Sequence, residues 1–201
     1  SEVKLVLASH NRGKLAELRD LLEPLGWQLI DPAQLEITPA VETRATFVEN
    51  ALDKARHVAR ASGLPSLADD SGLVVPALHG APGIRSARYA GEAATDAENN
   101  AKLCAAIAGL EAPSACFHCA LVLVRYPEDP APLIACGTWH GILLRHPRGA
   151  GGFGYDPLFY LPSLRATAAE LPPAEKNRLS HRGRALSALV RALRESGDVN
   201  T

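Results

Sequence analysis

The chain has 201 residues, a length at which one domain, or two closely packed lobes, can bury a substantial core. Its 21 lysines and arginines stand against 22 aspartates and glutamates, a formal charge of −1, so no whole-molecule field favours nucleic acid or an anionic membrane. Any polyanion must then be met by a local site.

Val3 to Ala8 is apolar apart from Lys4, but it is too short for an export signal and is followed at once by His10, Arg12 and Lys14. No later run approaches the ~20 apolar residues that span a bilayer. The expectation is a soluble, cytoplasmic protein with no nucleic-acid or membrane partner.

In chain order, Val3–Ala8 reads as a strand. Leu15, Leu18, Leu22 and Leu25 recur at three- and four-residue steps, the stripe of an amphipathic helix ending near Gly26. Trp27–Ile30 reads as a short strand, and Asp31–Arg44, with Pro32 and Pro39, as loop. Thr46-Phe-Val-Glu49 and Thr95-Asp-Ala-Glu98 are capping-box patterns, in which hydroxyl and carboxylate close a helix start. The first of these helices carries Phe47, Ala51, Ala55, Val58 and Ala59 on one side; the second runs through about Ile107. Leu67–Ala68 and Leu73–Val75 flank Asp69-Asp70-Ser71-Gly72, giving strand, polar turn, strand. Ala115–Val124 and Leu133–Leu144 are strands around a Pro127–Pro132 turn. Gly149–Gly154 is a glycine-rich loop, Pro173–Leu179 a short helical piece, and Ala185 to Leu193 a last helix before a frayed tail at about 197–201. Strands and helices mix with short and long connections, so the class is α/β with a mixed sheet, in a single domain over 1–201.

Four polar clusters interrupt this pattern. Ser9, His10, Asn11, Arg12, Gly13 and Lys14 join the first strand to the first helix, where outward-pointing N–H groups suit an anion. The P-loop pattern is absent, and a polar connection with a helix cap is the plainer reading. Asp69 and Asp70 end an apolar strand, which is costly unless they are solvated, metal-bound or used. A hard cation takes one or two carboxylates beside phosphate oxygens, and Glu42 would add a second if its loop folds over Asp70; a tight turn of Asp, Ser71 and Gly72 is the alternative. Gly149 to Asp156 is dense enough in glycine for backbone to approach a ligand closely, with Phe153 and Tyr155 as rings for a nucleobase. Glu175 to Gly183 collects Lys176, Arg178, His181 and Arg182 ahead of the last helix. That is either a basic, solvated cap with Ser180 as N-cap, or a second phosphate clamp with donors to a base. Two basic loops, one diacid segment and one glycine–aromatic loop together suit a nucleotide–magnesium site.

Cys116 and Cys119 imitate half a zinc knuckle, but at i and i+3 on a strand they face opposite sides, and Cys104 and Cys136 stand alone. Buried free thiols are the expectation.

The clusters lie in segments that resemble the inosine triphosphate pyrophosphatase family: Leu7-Ala-Ser-His-Asn-Arg-Gly-Lys14, Glu42-Thr43, Thr46-Phe-Val-Glu-Asn-Ala51, Leu67-Ala-Asp-Asp-Ser-Gly-Leu73, Gly80-Ala-Pro-Gly-Ile84 and Ser86-Ala-Arg-Tyr89. Gly151-Gly-Phe-Gly-Tyr-Asp-Pro157, Ala169-Glu-Leu171, Lys176 and Ser180-His-Arg-Gly183 continue the match in family order over nearly the whole chain. The resemblance implies an elongated mixed sheet flanked by helices, two lobes with a deep central cleft, and a homodimer. It implies hydrolysis of inosine and xanthosine triphosphates and their deoxy forms to monophosphate and pyrophosphate, with Mg2+ as cofactor. Asp70 resembles the general base, and Glu42 with Asp70 the magnesium site. Ser9, His10, Asn11, Arg12, Gly13, Lys14 and Lys176 would hold phosphates, with Ser71 lining the same site; Phe153, Gly154, Tyr155, Asp156, His181 and Arg182 would contact base and sugar. An Arg182 donor facing O6 of hypoxanthine or xanthine would meet a donor amino group on adenine, a mismatch that disfavours it. His10 and Arg44 depart from the small residues common at those places in the family, which bears on local loop geometry. A Nudix box is absent. A Maf-like pyrophosphatase of other base specificity and a non-enzymatic nucleotide-binding protein are the alternative readings.

Overall fold

Asn11 starts the first helix by taking up extended dihedrals and accepting the Lys14 backbone N–H on its side chain, which satisfies one of the donors a helix start leaves over. In the computed structural model, which describes residues 4–197, the elements are β1 (Lys4–Ala8), α1 (Arg12–Leu22), β2 (Gln28–Ile30), α2 (Phe47–Ser62), β3 (Ser66–Val74) and α3 (Asp96–Ala106). There follow β4 (Ser114–Val124), β5 (Leu133–Leu143), β6 (Phe159–Leu161), β7 (Ala166–Thr167), α4 (Pro173–Leu179) and α5 (His181–Ser196). Of the tail expected at 197–201, residues 198–201 lie outside the described residues.

Local chemistry explains the boundaries. A 3-10 turn over Glu23–Leu25 extends α1 to Gly26, whose left-handed φ of 77° ends it. Thr46 caps α2: its hydroxyl accepts the Glu49 N–H and donates to the Glu49 carboxylate. At α3 the reciprocal box of Thr95 and Glu98 is complete. None of the described helices is long and apolar enough to cross a membrane.

The seven strands run β2-β1-β3-β4-β5-β6-β7 in one sheet. β1 is parallel to β2 and β3, whereas β6 is antiparallel to β5 and β7, so the sheet is mixed as the alternation of elements suggested. The short strands β6 and β7 carry no periodic signal and are not among the strands that the sequence pattern predicts. The polar turn expected at residues 69–72 is not there. β3 runs unbroken through Asp69, Asp70, Ser71 and Gly72, all of them residue types that favour turns, and stays buried from Ser66 to Leu73. Cations from neighbouring elements neutralise its carboxylates, and that outweighs local turn preference.

The described residues form two compact units: residues 4–70, 119–137 and 182–197 in the first, 71–118 and 138–181 in the second. In the first, side chains alternate along the strands. Leu5, Leu7, Leu67 and Leu121 pack with Leu15, Leu18 and Leu22 of α1 and Leu186 and Leu189 of α5. Val6, Ala8, Ala68 and Val122 face Ala51, Ala55, Val58 and Ala59 of α2. With both faces covered, these strands read as nearly continuous apolar runs. The second unit has its own core, in which Phe117 meets Phe159 with ring centroids 4.5 Å apart and Leu73, Leu103, Ile107 and Leu158 fill the surroundings. The cysteines are free thiols, but only Cys119 is buried; Cys104 and Cys116 are half-buried and Cys136 is exposed, because it lies on an outward position of β5.

Leu18 is fully enclosed between α1, the sheet and α5. Leu18→Ala is expected to cost about 2–5 kcal/mol of unfolding free energy in urea titration, with the fold retained.

Candidate functional site

Successive residues of a strand point to opposite faces, and in β3 this separates two adjacent carboxylates. Asp69 follows Leu67 onto the face covered by α1 and α5; Asp70 follows Ala68 onto the face covered by α2. Each then meets different partners.

Asp69 is fully buried. Lys14 Nζ, in the first turn of α1, lies 3.2 Å from its Oδ1, and Arg182 Nε, in the first turn of α5, donates to its Oδ2 at 2.9 Å. The Cys119 thiol donates to the same oxygen at 3.0 Å. A further guanidinium nitrogen of Arg182, Nη1, pairs with Glu17 of α1. Burial works to raise the Asp69 pKa, but Arg182, Lys14 and Lys54 outweigh it and hold the carboxyl well below the usual carboxylate range. Burial and Asp69 together push the Cys119 thiol far up, so it stays a protonated donor. Arg182 is only 1% exposed, and despite the cost of burial Asp69 and Glu17 keep it charged. Asp69 is thus a permanent anion that fixes one lysine and one arginine.

Asp70, 3% exposed, is held differently. Its Oδ1 lies 3.5 Å from Lys54 Nζ, and its Oδ2 is buried without a hydrogen-bond partner. Burial pushes this carboxyl up to about 6, with Lys54 and Lys14 pulling against it. The Lys54 ammonium also lies 3.0 Å from Glu42 Oε1. Burial disfavours that ammonium, but Asp70 and Glu42 outweigh the penalty and raise its pKa. Glu42 and Asp70 therefore share one cation, and an oxygen of Asp70 is left over. A donor set of carboxylate oxygens with one buried oxygen unused fits a hard divalent cation such as magnesium.

The rest of the first basic loop lies beside this cluster in sequence. Ser9 is buried and its hydroxyl accepts the Asn11 N–H; Asn11 caps α1. His10 Nε2 lies 3.0 Å from the Ile37 carbonyl oxygen, which ties the loop to the segment leading to Glu42. Arg12 is exposed and Gly13 half-buried in the first turn of α1.

The second unit assembles its own polar cluster. Asp156 Oδ2 accepts from Lys176 Nζ at 2.5 Å and from the Phe153 N–H at 3.0 Å, and Lys176 lies 4.7 Å from the Phe153 ring centroid. Gly152 has φ 67°, and a Cβ there would come within 2.1 Å of Asp156 Oδ2, so glycine is required for the carboxylate to sit where it does. Gly154 is pinned to α3 through Asp96 and Asn100. Phe153 and Gly154 line a cavity of about 480 Å³ with Asp96, Asn100 and Cys104. His181 stacks on Phe117, centroids 4.7 Å apart and planes 11° from parallel. Tyr155 belongs to the core, where its hydroxyl donates to the Ser86 carbonyl at 2.6 Å, and Ser71 is buried on β3.

In the first unit, then, Lys14, Glu42, Asp70 and Arg182 gather around β3; in the second, Phe153, Asp156 and Lys176 form one cluster, with His181 in an aromatic stack. Sequence reasoning missed Lys54 and Glu17. Both carried a signal: Lys54 falls on the buried stripe of α2 with Ala51, Ala55 and Val58, and Glu17 sits among Leu15, Leu18 and Leu22, where a charge is expected only with a partner. Arg182, expected at the base, lies with its Nε and Nη1 on Asp69 and Glu17.

Comparison with known proteins adds an independent finding. The model of the Ham1 family matches residues 5–192. A dITP/XTP pyrophosphatase of Nitrosomonas europaea is 54% identical over 196 residues, 98% of this chain and 97% of that protein. One from Aromatoleum aromaticum is 55% identical over 190 residues, 94% and 96% of the two chains. The structure of a HAM1 protein from Coxiella burnetii superposes with a TM-score of 0.88 at 51% identity, covering 96% of this chain and 99% of that one.

Removing the guanidinium leaves Asp69 and Glu17 buried beside too little positive charge, so Arg182→Ala is expected to lose about 3–5 kcal/mol of stability in chemical unfolding. Gly152→Ala is expected to dislodge Asp156, seen as faster hydrogen exchange at the Phe153 amide while α5 amides keep their protection.

Proposed function

Because the chain belongs to the Ham1 family, we propose that it hydrolyses non-standard purine nucleoside triphosphates, those of inosine, deoxyinosine and xanthosine, to the monophosphate and pyrophosphate. One observation carries the chemistry: a nearly buried carboxylate, Asp70, with one oxygen unpartnered and a second carboxylate, Glu42, across a shared ammonium.

Glu42 and Asp70 would hold magnesium, which when bound offsets the charge of the triphosphate oxygens. The start of α1, with Ser9 to Gly13 and the Lys14 ammonium, receives phosphate, because the helix start adds N–H donors to a fixed positive charge. Asp69 keeps that lysine in place and takes no proton itself. Asp70 accepts a proton at its carboxylate from the water that attacks the phosphoanhydride, and pyrophosphate leaves. Burial suits it to this work, since a carboxyl pushed up to about 6 is a stronger base than an ordinary one. Ser71 follows Asp70 on β3 and lines the phosphate side.

Phe153, Gly154, Asp156 and His181 are assigned to base and sugar, and Lys176, which Asp156 holds beside Phe153, is assigned to the phosphates. Tyr155 acts from the core by fixing the backbone on which Phe153 and Asp156 sit. Arg182 serves first as the clamp on Asp69, and a base-edge donor role for it is secondary. One catalytic domain over 1–201, a homodimer and a cytoplasmic location complete the proposal on the strength of the family resemblance.

The test is pyrophosphate release from a panel of inosine, xanthosine, adenosine and guanosine triphosphates with magnesium. Strong preference for the first two is expected, and equal turnover of all four ends the reading. Asp70→Asn should keep the fold and nucleotide binding while lowering turnover roughly 10²–10⁴-fold; near-normal turnover would remove Asp70 as the base.

A further inference from the structure

Lys54 occupies the place that the two proposed metal ligands have in common. Its Nζ lies 3.0 Å from Glu42 Oε1 and 3.5 Å from Asp70 Oδ1, and its side chain is 14% exposed. We propose that Lys54 is a resident counter-ion that keeps the metal affinity of the free protein low and ties metal uptake to triphosphate binding. The inference rests on the reading of Glu42 and Asp70 as the magnesium site.

Two carboxylates drawn together in a half-buried place repel each other unless a cation lies between them. In this chain the cation is supplied by α2. An ammonium and a divalent ion cannot both sit on the same oxygens, so metal binding requires Lys54 to withdraw from Glu42 and Asp70. Its withdrawal leaves a positive charge in search of an anion. Asp69, the other carboxylate whose charge acts on Lys54, is already engaged by Lys14, Arg182 and the Cys119 thiol. An incoming polyphosphate is the anion that can take the displaced ammonium.

A second observation shows that the oxygens are prepared for more than the lysine. Asp70 is 3% exposed, and its Oδ2 has no hydrogen-bond partner, so Lys54 satisfies one oxygen of the pair and leaves the other. A lysine that served only to neutralise a buried carboxylate would be expected to sit against both oxygens or to leave the second to a backbone donor. Metal and triphosphate binding are then thermodynamically linked through one side chain. Whatever factor the triphosphate adds to metal affinity, the metal adds to triphosphate affinity. The protein holds little metal alone and takes its substrate as a metal–triphosphate complex.

The experiment measures Mn2+ binding to the full chain by the EPR signal of free Mn2+, without nucleotide and with the α,β-imido analogue of inosine triphosphate, corrected for Mn2+ bound to the analogue in solution. Wild type should bind Mn2+ weakly alone and at least about tenfold more tightly with the analogue, within the usual range of coupling between sites. Lys54→Met should bind Mn2+ alone at least about tenfold more tightly than wild type, with the analogue adding little more. Its melting temperature should also rise with Mn2+ more than that of wild type, because binding to the native state stabilises in proportion to affinity. Lys54→Gln, checked by circular dichroism, stands in if the methionine variant does not fold. Glu42→Gln separates the two levels of the argument. If it abolishes Mn2+ binding but neither Lys54 variant binds more tightly than wild type, the counter-ion role is wrong and the metal site stands. If Glu42→Gln and Asp70→Asn leave Mn2+ binding unchanged, the metal site is wrong and the inference falls with it.

Discussion

Burying two neighbouring carboxylates on one strand is the constraint around which the first unit is organised. Ionised groups out of water are costly, and adjacent ones repel. The strand's two-residue period resolves the repulsion by sending Asp69 and Asp70 to opposite faces, and each face then needs its own cation. On one side that need is met by Lys14 and Arg182, at the beginnings of α1 and α5. On the other it is met by Lys54, from the middle of α2. Three helices are thereby tied to one strand by charge as well as by apolar packing.

The two faces are not equivalent, and the difference matters for chemistry. Asp69 is saturated: lysine, arginine and thiol all direct hydrogens at it, so it is an ionised, fixed strut. Asp70 is under-satisfied, with an orphaned oxygen and a pKa raised to about 6 by burial. A buried polar atom left without a partner is rare in a folded protein, and an unmet hydrogen-bonding demand of this kind is what a ligand, metal or proton is recruited to fill. Adjacent identical residues acquire different work because their neighbours differ.

The second unit solves a related problem with a glycine. Asp156 can hold both the Phe153 amide and the Lys176 ammonium because Gly152 has no side chain where the carboxylate must lie. The same contact carries Lys176 over the Phe153 ring, so an aromatic surface and a cation are presented together. Precision here comes from backbone freedom at one position and from a short ion pair at another, with Tyr155 anchoring the loop from the core.

The amino-acid sequence determined much of this by local rules. The leucine period of α1, the threonine caps of α2 and α3, and the apolar runs of β1, β4 and β5 follow from spacing and capping chemistry that act within a few residues. The ordered motifs likewise marked Lys14, Glu42, Asp70, Phe153, Asp156 and Lys176 as candidates before any coordinates. Tertiary structure decided what those rules cannot reach. It turned the expected Asp69–Gly72 turn into strand, because cations more than ten residues away in sequence make burial of the carboxylates tolerable. It set Arg182 against Asp69 and Glu17, and it put Lys54 between Glu42 and Asp70, neither of which is near it in the chain. Electrostatic pairing depends on distance in space, and sequence spacing encodes that distance only within a single helix or strand.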